Sequence, residues 1–244
     1  MNVASPKQNH QVVDSEHAEL VAMTLRACQL AKAAVANAAD GLAKKNAGPF
    51  RAVADAEREL DRLDRELDER ITFAVSRVPA EQARELLACM KIMIDLERIG
   101  DLVSSMVSRA QAISNRVDME DVNDLIRMCT VLEKMLVDGY EAFSKRDVDC
   151  AVAVLRADAE LDRLRNLLHI RHVERPDGTG GTEGVQVLFM AQALERAGDH
   201  AKNMAEEVCH FVTGHTVRHV LKMHGKSEEQ MFLDHLRKAQ HPPE

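Results

Sequence analysis

Residues 86–101 read Leu86-Leu87-Ala88-Cys89-Met90-Lys91-Ile92-Met93-Ile94-Asp95-Leu96-Glu97-Arg98-Ile99-Gly100-Asp101. Apolar side chains at 86, 90, 93 and 96 recur every three or four positions, the period of one helix face, and the series runs on through Ile99, Val103 and Met106. Upstream, Leu60, Leu63, Leu67 and Ile71 keep the same rhythm. Nowhere do apolar and polar residues alternate as a strand requires. Glycine (11) and proline (6) are scarce, and their clusters at Gly48-Pro49, Pro79, Pro176 to Gly184, Gly214, Gly225 and Pro242-Pro243 read as breaks. Between them six helices fit, near 14–44, 50–77, 80–114, 119–145, 147–173 and 184–213, followed by a polar tail with room for a seventh short one. Helices this long are expected to pack as bundles with heptad-like seams. The expected fold is all-α.

The chain also repeats itself. Moving by 101 residues lays Ala52-Val53-Ala54-Asp55-Ala56-Glu57-Arg58-Glu59-Leu60-Asp61-Arg62-Leu63 over Ala153 to Leu164. Moving by 98 lays Leu96-Glu97-Arg98-Ile99-Gly100-Asp101 over Leu194-Glu195-Arg196-Ala197-Gly198-Asp199, with five of six residues shared. The difference in offset falls in the connection before the third helix of each half, where length varies freely. Two tandem three-helix bundles are expected, over residues 12–116 and 117–220, with 221–244 as the polar tail.

Composition narrows the function. Acidic residues (40) outnumber basic ones (32), for a formal net charge of −8, and with no Trp, one Tyr and six Phe the chain has few rings. Such a surface neither attracts a phosphate backbone nor stacks bases, so nucleic-acid binding is not expected. No uncharged run approaches the ~20 residues of a membrane span, and no export signal stands at the N-terminus. Cys28, Cys89, Cys129, Cys150 and Cys209 are scattered without a CxxC pair, which reads as reduced, buried thiols in a cytoplasmic protein.

Each half carries two copies of an acid followed four residues later by Asp: Glu57/Asp61 and Glu97/Asp101, then Asp158/Asp162 and Glu195/Asp199. A spacing of four puts both carboxylates on one helix face, one turn apart, close enough to share an ion. In phase, Glu97 and Asp101 extend the stripe of Leu86, Met90 and Met93, so they should face neighbouring helices or lie at the edge of that contact. Converging carboxylates repel and lose water, and oxygen-coordinated cations relieve both costs. Gly100 and Gly198, each mid-helix, suggest close approach of another backbone or of a bound ion, since Gly costs about 1 kcal/mol there against Ala. The competing reading is that these acids are solvated or pair with Arg58, Arg98, Arg163 and Arg196.

Catalysis has little support. A carboxylate-bridged di-iron enzyme needs two Glu-x-x-His elements from different helices, and Glu207-Val208-Cys209-His210 has no counterpart. His169 and His172 read as helix-surface histidines. Gly178-Thr179-Gly180-Gly181 lacks the Lys-Ser/Thr of a phosphate loop and reads as a linker. Met90, Met93, Met106, Met128 and Met135 occupy core positions.

Two three-helix bundles, each with an LERxGD segment on its third helix, resemble the PhoU family of bacterial phosphate-signalling proteins. Glu57 to Asp61 and Asp158 to Asp162 on the second helices, Pro79 before the third, and the closing Val212-Thr213-Gly214-His215-Thr216-Val217-Arg218-His219 extend the likeness over residues 15–220. The resemblance implies a non-enzymatic negative regulator of phosphate uptake and of the phosphate-starvation response. Such a protein is an adaptor between the ATPase of a phosphate ABC transporter and a sensor histidine kinase. It forms a homodimer, and reaches the inner membrane only through its partners. The resemblance also implies multinuclear metal sites, iron among the metals, with Glu57, Asp61, Glu97, Asp101, Asp158, Asp162, Glu195 and Asp199 as ligands; zinc, manganese and magnesium tolerate the same oxygens. Two alternatives stay open: a metal-dependent hydrolase or oxidase, and a metal-free helical scaffold.

Overall fold

The computed structural model describes residues 6–113, 116–174 and 181–214, with side chains from residue 14 onward. They form six helices, α1 (Pro6–Lys44), α2 (Ala47–Ala74), α3 (Ala80–Ile113), α4 (Met119–Lys145), α5 (Val148–Val173) and α6 (Thr182–Thr213). No strand occurs among the described residues. The expected seventh helix, the tail, residues 178–180 of the linker and the end of the closing segment lie outside the described residues.

The helix ends follow local chemistry. Asn46 sits in extended backbone and accepts a hydrogen bond from the Gly48 amide, capping α2. Gly48-Pro49, expected as a break, therefore falls inside the first turn of α2, where a proline sacrifices no helical hydrogen bond. The α4–α5 junction is tight. Arg146 adopts the left-handed conformation (φ 54°), and Asp147 caps α5 by accepting from the amides of Asp149 and Cys150.

Each outer helix buries one stripe. On α2 this is Val53, Ala56, Leu60, Leu63, Leu67 and Ile71. Helix α2 lies between α1 and α3, and α5 lies in the same way between α4 and α6. The two bundles join through α3 against α6 and α1 against α4, so α3 and α6 are buried on two sides. Polar pairs fix the α3–α6 alignment: Arg109 donates to Gln186 (2.9 Å), Asp95 meets His200 (2.8 Å), and Lys91 donates to Glu207 (2.8 Å). Residue numbers climb on one helix as they fall on the other, so the two run antiparallel.

The core is aliphatic and methionine-rich; Met93, Met106, Met128 and Met135 are fully buried. Met90, expected beside them, is only half-buried. Four of the five unpaired cysteines are buried and Cys150 is half-buried. Charge inside the fold is paired. Arg171 on α5 reaches Asp121 (2.6 Å), Asp124 (2.7 Å) and Glu120 (2.8 Å) on α4. His172 is no surface histidine: its Nε2 lies 3.0 Å from the buried Asp121. An acid two residues into α4 captures the end of α5, and nothing in the spacing of His169 and His172 signals that.

Candidate metal centre

The site of the first half begins with a glycine. Helices α2 and α3 cross where a β-carbon on Gly100 would stand 2.7 Å from Leu60 Cδ1 and 3.9 Å from Glu57 Cα. The bare backbone lets α2 settle close to α3, with Leu60 filling the space a side chain would take. The same contact recurs in the second half, where a β-carbon on Gly198 would collide with Leu161 Cδ1. Both mid-helix glycines thus serve the close approach of a neighbouring helix, by way of a leucine side chain.

That approach brings Glu57 and Asp61 of α2 beside Asp101 of α3. One oxygen from each lies within 4.8 Å of the other two, and all three residues are half-buried. Among the described residues this is the group of three acidic, histidine or cysteine side chains so disposed. Glu97, one turn before Asp101 on α3, stands beside the group without joining it. Burial, with Asp61 and Asp101 nearby, pushes the Glu57 carboxyl above its ordinary value. Glu97 is raised by burial and then by Asp101, with Asp64 and Asp61 adding to the effect. Asp64 is itself raised, by burial and by Asp68 and Asp61. The cation beside them is Arg98, 3.4 Å from Glu97 and 3.5 Å from Asp101, on a side chain 57% exposed. Arg58 pairs with Asp55, and its charge partly offsets the rise at Glu57. The cluster holds more negative charge than its own arginines offset. Three convergent hard oxygens fit a divalent or trivalent cation, which would remove the repulsion.

The second half keeps the carboxylates and changes their company. Asp158 on α5 is held by the ammonium of Lys202 on α6. Glu195 accepts from Gln192 (2.8 Å) and lies 3.5 Å from the Arg165 guanidinium. Asp162 and Asp199 are exposed. Burial and Asp199 raise the Glu195 carboxyl, while Arg165 pulls it back. The eight acids therefore divide. Glu57, Asp61 and Asp101 converge; Glu97 flanks them; Asp158 and Glu195 face cations; Asp162 and Asp199 face outward.

Three residues that shape these sites escaped the motif reading: Asp64, Arg165 and Lys202. The signal was available. Carrying the repeat one residue past Leu63 and Leu164 sets Asp64 against Arg165, and carrying it three past Asp101 and Asp199 sets Ser104 against Lys202.

Comparison with known proteins agrees with this architecture. The PhoU domain family model matches twice, at residues 24–110 and 125–208, once in each half. The chain is 30% identical over 191 residues to phosphate-specific transport system accessory protein PhoU homolog 1 of Thermotoga maritima, covering 76% of this chain and 82% of that one. It is 29% identical to the PhoU homolog of Pseudomonas aeruginosa, covering 76% of this chain and 79% of the relative. Among solved structures, PhoU from Pseudomonas aeruginosa superimposes with a TM-score of 0.76 at 25% identity, over 83% of this chain and 99% of that one. The phosphate transport system regulatory protein PhoU from Streptococcus pneumoniae shares the fold at the same TM-score and 21% identity, over 84% of this chain and 99% of its own. Two matched domains, one on each copy of the three-helix unit, place this chain in the PhoU family.

Proposed function

We propose that this protein is a regulatory accessory component of a phosphate-specific transport system. In this reading it restrains phosphate uptake and phosphate-starvation signalling by bridging the transporter's ATPase and a sensor histidine kinase. The observation that carries the reading is the paired PhoU match to curated transport accessory proteins over most of the chain. Its net negative charge and few aromatic rings suit a protein partner, and no described helix is long and apolar enough to cross a membrane. A cytoplasmic adaptor, reaching the membrane through its partners, fits both features.

Glu57, Asp61 and Asp101 are the residues that would hold a metal, and a bound cation would supply a positive Lewis-acidic centre on an acidic surface. The chain's own contribution is to hold those oxygens together, half-shielded from water, through the Gly100–Leu60 contact.

Deletion of the gene in its host, with a reporter for a phosphate-starvation promoter, tests the regulatory role. Derepression in phosphate-rich medium, reversed by the intact gene, is expected; unchanged expression on deletion contradicts it.

A further inference from the structure

We infer that the two acidic clusters are not equivalent: Lys202 and Arg165 occupy the second as built-in cations, so a divalent metal loads only in the first half. This inference rests on the proposal that Glu57, Asp61 and Asp101 bind metal. It departs from the symmetric ligand set that two matching carboxylate motifs imply.

The geometry is a like-for-like comparison inside one chain. Both halves share the glycine–leucine crossing, at Gly100–Leu60 and Gly198–Leu161, so the helices meet in the same way. Arg58 and Arg65 of the first half stand opposite Ala159 and Asn166, but they bind Asp55 and the Asp61 carbonyl, and what differs at the clustered carboxylates is the residue at two other equivalent positions. Where the first half has Asp64, the second has Arg165; where it has Ser104, the second has Lys202. Two positions that carry one negative charge in the first half carry two positive charges in the second.

The added cations are seated within the cluster. Lys202 and Asp158 are 15% and 13% exposed at their side chains and make a direct ion pair across the α5–α6 seam. Arg165 approaches Glu195 to 3.5 Å, and the two are 32% and 14% exposed. Glu195 also takes a hydrogen bond from Gln192. A metal entering here would have to displace an ammonium from a half-buried carboxylate and sit beside a guanidinium. Like charges at close range oppose this, and the displaced ammonium would have to recover its solvation elsewhere. The remaining acids, Asp162 and Asp199, are exposed and bring no convergent third oxygen. In the first half Arg98 touches Glu97 and Asp101 from a largely exposed position, and Arg58 pairs with Asp55 while acting on Glu57 only through its charge.

The consequence is a one-sided molecule. A partner that docks by offering a carboxylate or phosphate to bound metal would be received on the α2–α3 face. The α5–α6 face would present an internally neutralised surface.

The experiment uses the full chain, stripped with chelator, re-equilibrated with Mn2+ and measured for bound manganese by elemental analysis and electron paramagnetic resonance. Circular dichroism checks folding. The wild type is expected to lose at least tenfold in Mn2+ affinity in Glu57→Gln/Asp101→Asn and to change less than twofold in Asp158→Asn/Glu195→Gln. Lys202→Ser/Arg165→Asp, which gives these two positions their first-half residues, is expected to about double the bound manganese. Manganese that survives the first pair of changes and is lost with the second overturns the inference, as does equal loss from both. Those two arms do not depend on the Lys202→Ser/Arg165→Asp chain folding. A wild type that binds no Mn2+ refutes instead the metal reading of the first cluster. In that event a gain in Lys202→Ser/Arg165→Asp still supports the blocking role of the two cations, and no gain overturns it.

Discussion

Leu60 Cδ1 lies 2.7 Å from the point where a β-carbon on Gly100 would stand, and Leu60 is wholly buried. The leucine is wedged between α2 and α3 and cannot swing into solvent. Gly100→Ala gains helix propensity of about 1 kcal/mol but overpacks a filled seam, at a typical cost of about 1–3 kcal/mol. The expected net result is destabilisation by about 1 kcal/mol in urea unfolding, partly reversed when Leu60→Val is added. A plain gain in stability would show that Leu60 has room to turn.

Arg171 neutralises two buried acids at once, donating to Asp121 at 2.6 Å and to Asp124 at 2.7 Å. Arg171→Met removes the cation and leaves Asp121 with His172. Breaking one side of a buried pair costs about 3–5 kcal/mol. Denaturant unfolding of this variant should show a loss in that range, whereas Arg163→Met, which breaks an exposed pair with Glu160, should leave the unfolding midpoint almost unchanged. Similar losses in the two would contradict the buried network.

Glu97 carries a raised carboxyl because it is partly buried and faces Asp101, with Asp64 and Asp61 behind. A folded-state value above the unfolded one means that the ionised side chain costs stability. The cost is present in full above the folded value and vanishes as pH falls below the ordinary 4.5. Glu97→Gln in the presence of chelator should therefore raise the melting temperature at pH 7. Below pH 4 the gain should be absent. A gain of the same size at both pH values would assign it to packing rather than to charge.

Burial pushes the Cys28, Cys89, Cys129 and Cys209 thiols from an ordinary 9.0 up to about 12. The fold keeps these protons over a range in which the unfolded chain releases them. Stability is therefore full below about pH 9 and declines as pH climbs toward 12. At pH 8 a thiol reagent should label the half-buried Cys150 first. The other four should react at the rate of unfolding, as mass spectrometry of timed samples would show. Rapid labelling of all five in the native state would contradict the burial.

Helix period and internal duplication are local or one-dimensional properties and were legible along the chain, as were several helix ends, although α1 starts at Pro6 rather than 14 and Gly48-Pro49 lies inside α2. The stripe from Leu60 to Ile71 is buried as its spacing requires. The end of α4 at Lys145 matches the expected bound, and Pro79 precedes α3, its carbonyl accepting from the Ala83 amide. The acid pairs one turn apart were equally visible, because four residues along a helix always return to the same face. Their fate was not. Whether a carboxylate meets another carboxylate or a cation depends on which residue stands across the seam. That depends in turn on where two helices cross, and here on Gly100 against Leu60 and Gly198 against Leu161. The duplicated motif predicted two equal sites. Tertiary packing brought Glu57, Asp61 and Asp101 together in one half and set Lys202 on Asp158 in the other. Amphipathic periodicity is written within each helix, whereas electrostatic partnership forms only when separate helices come into register.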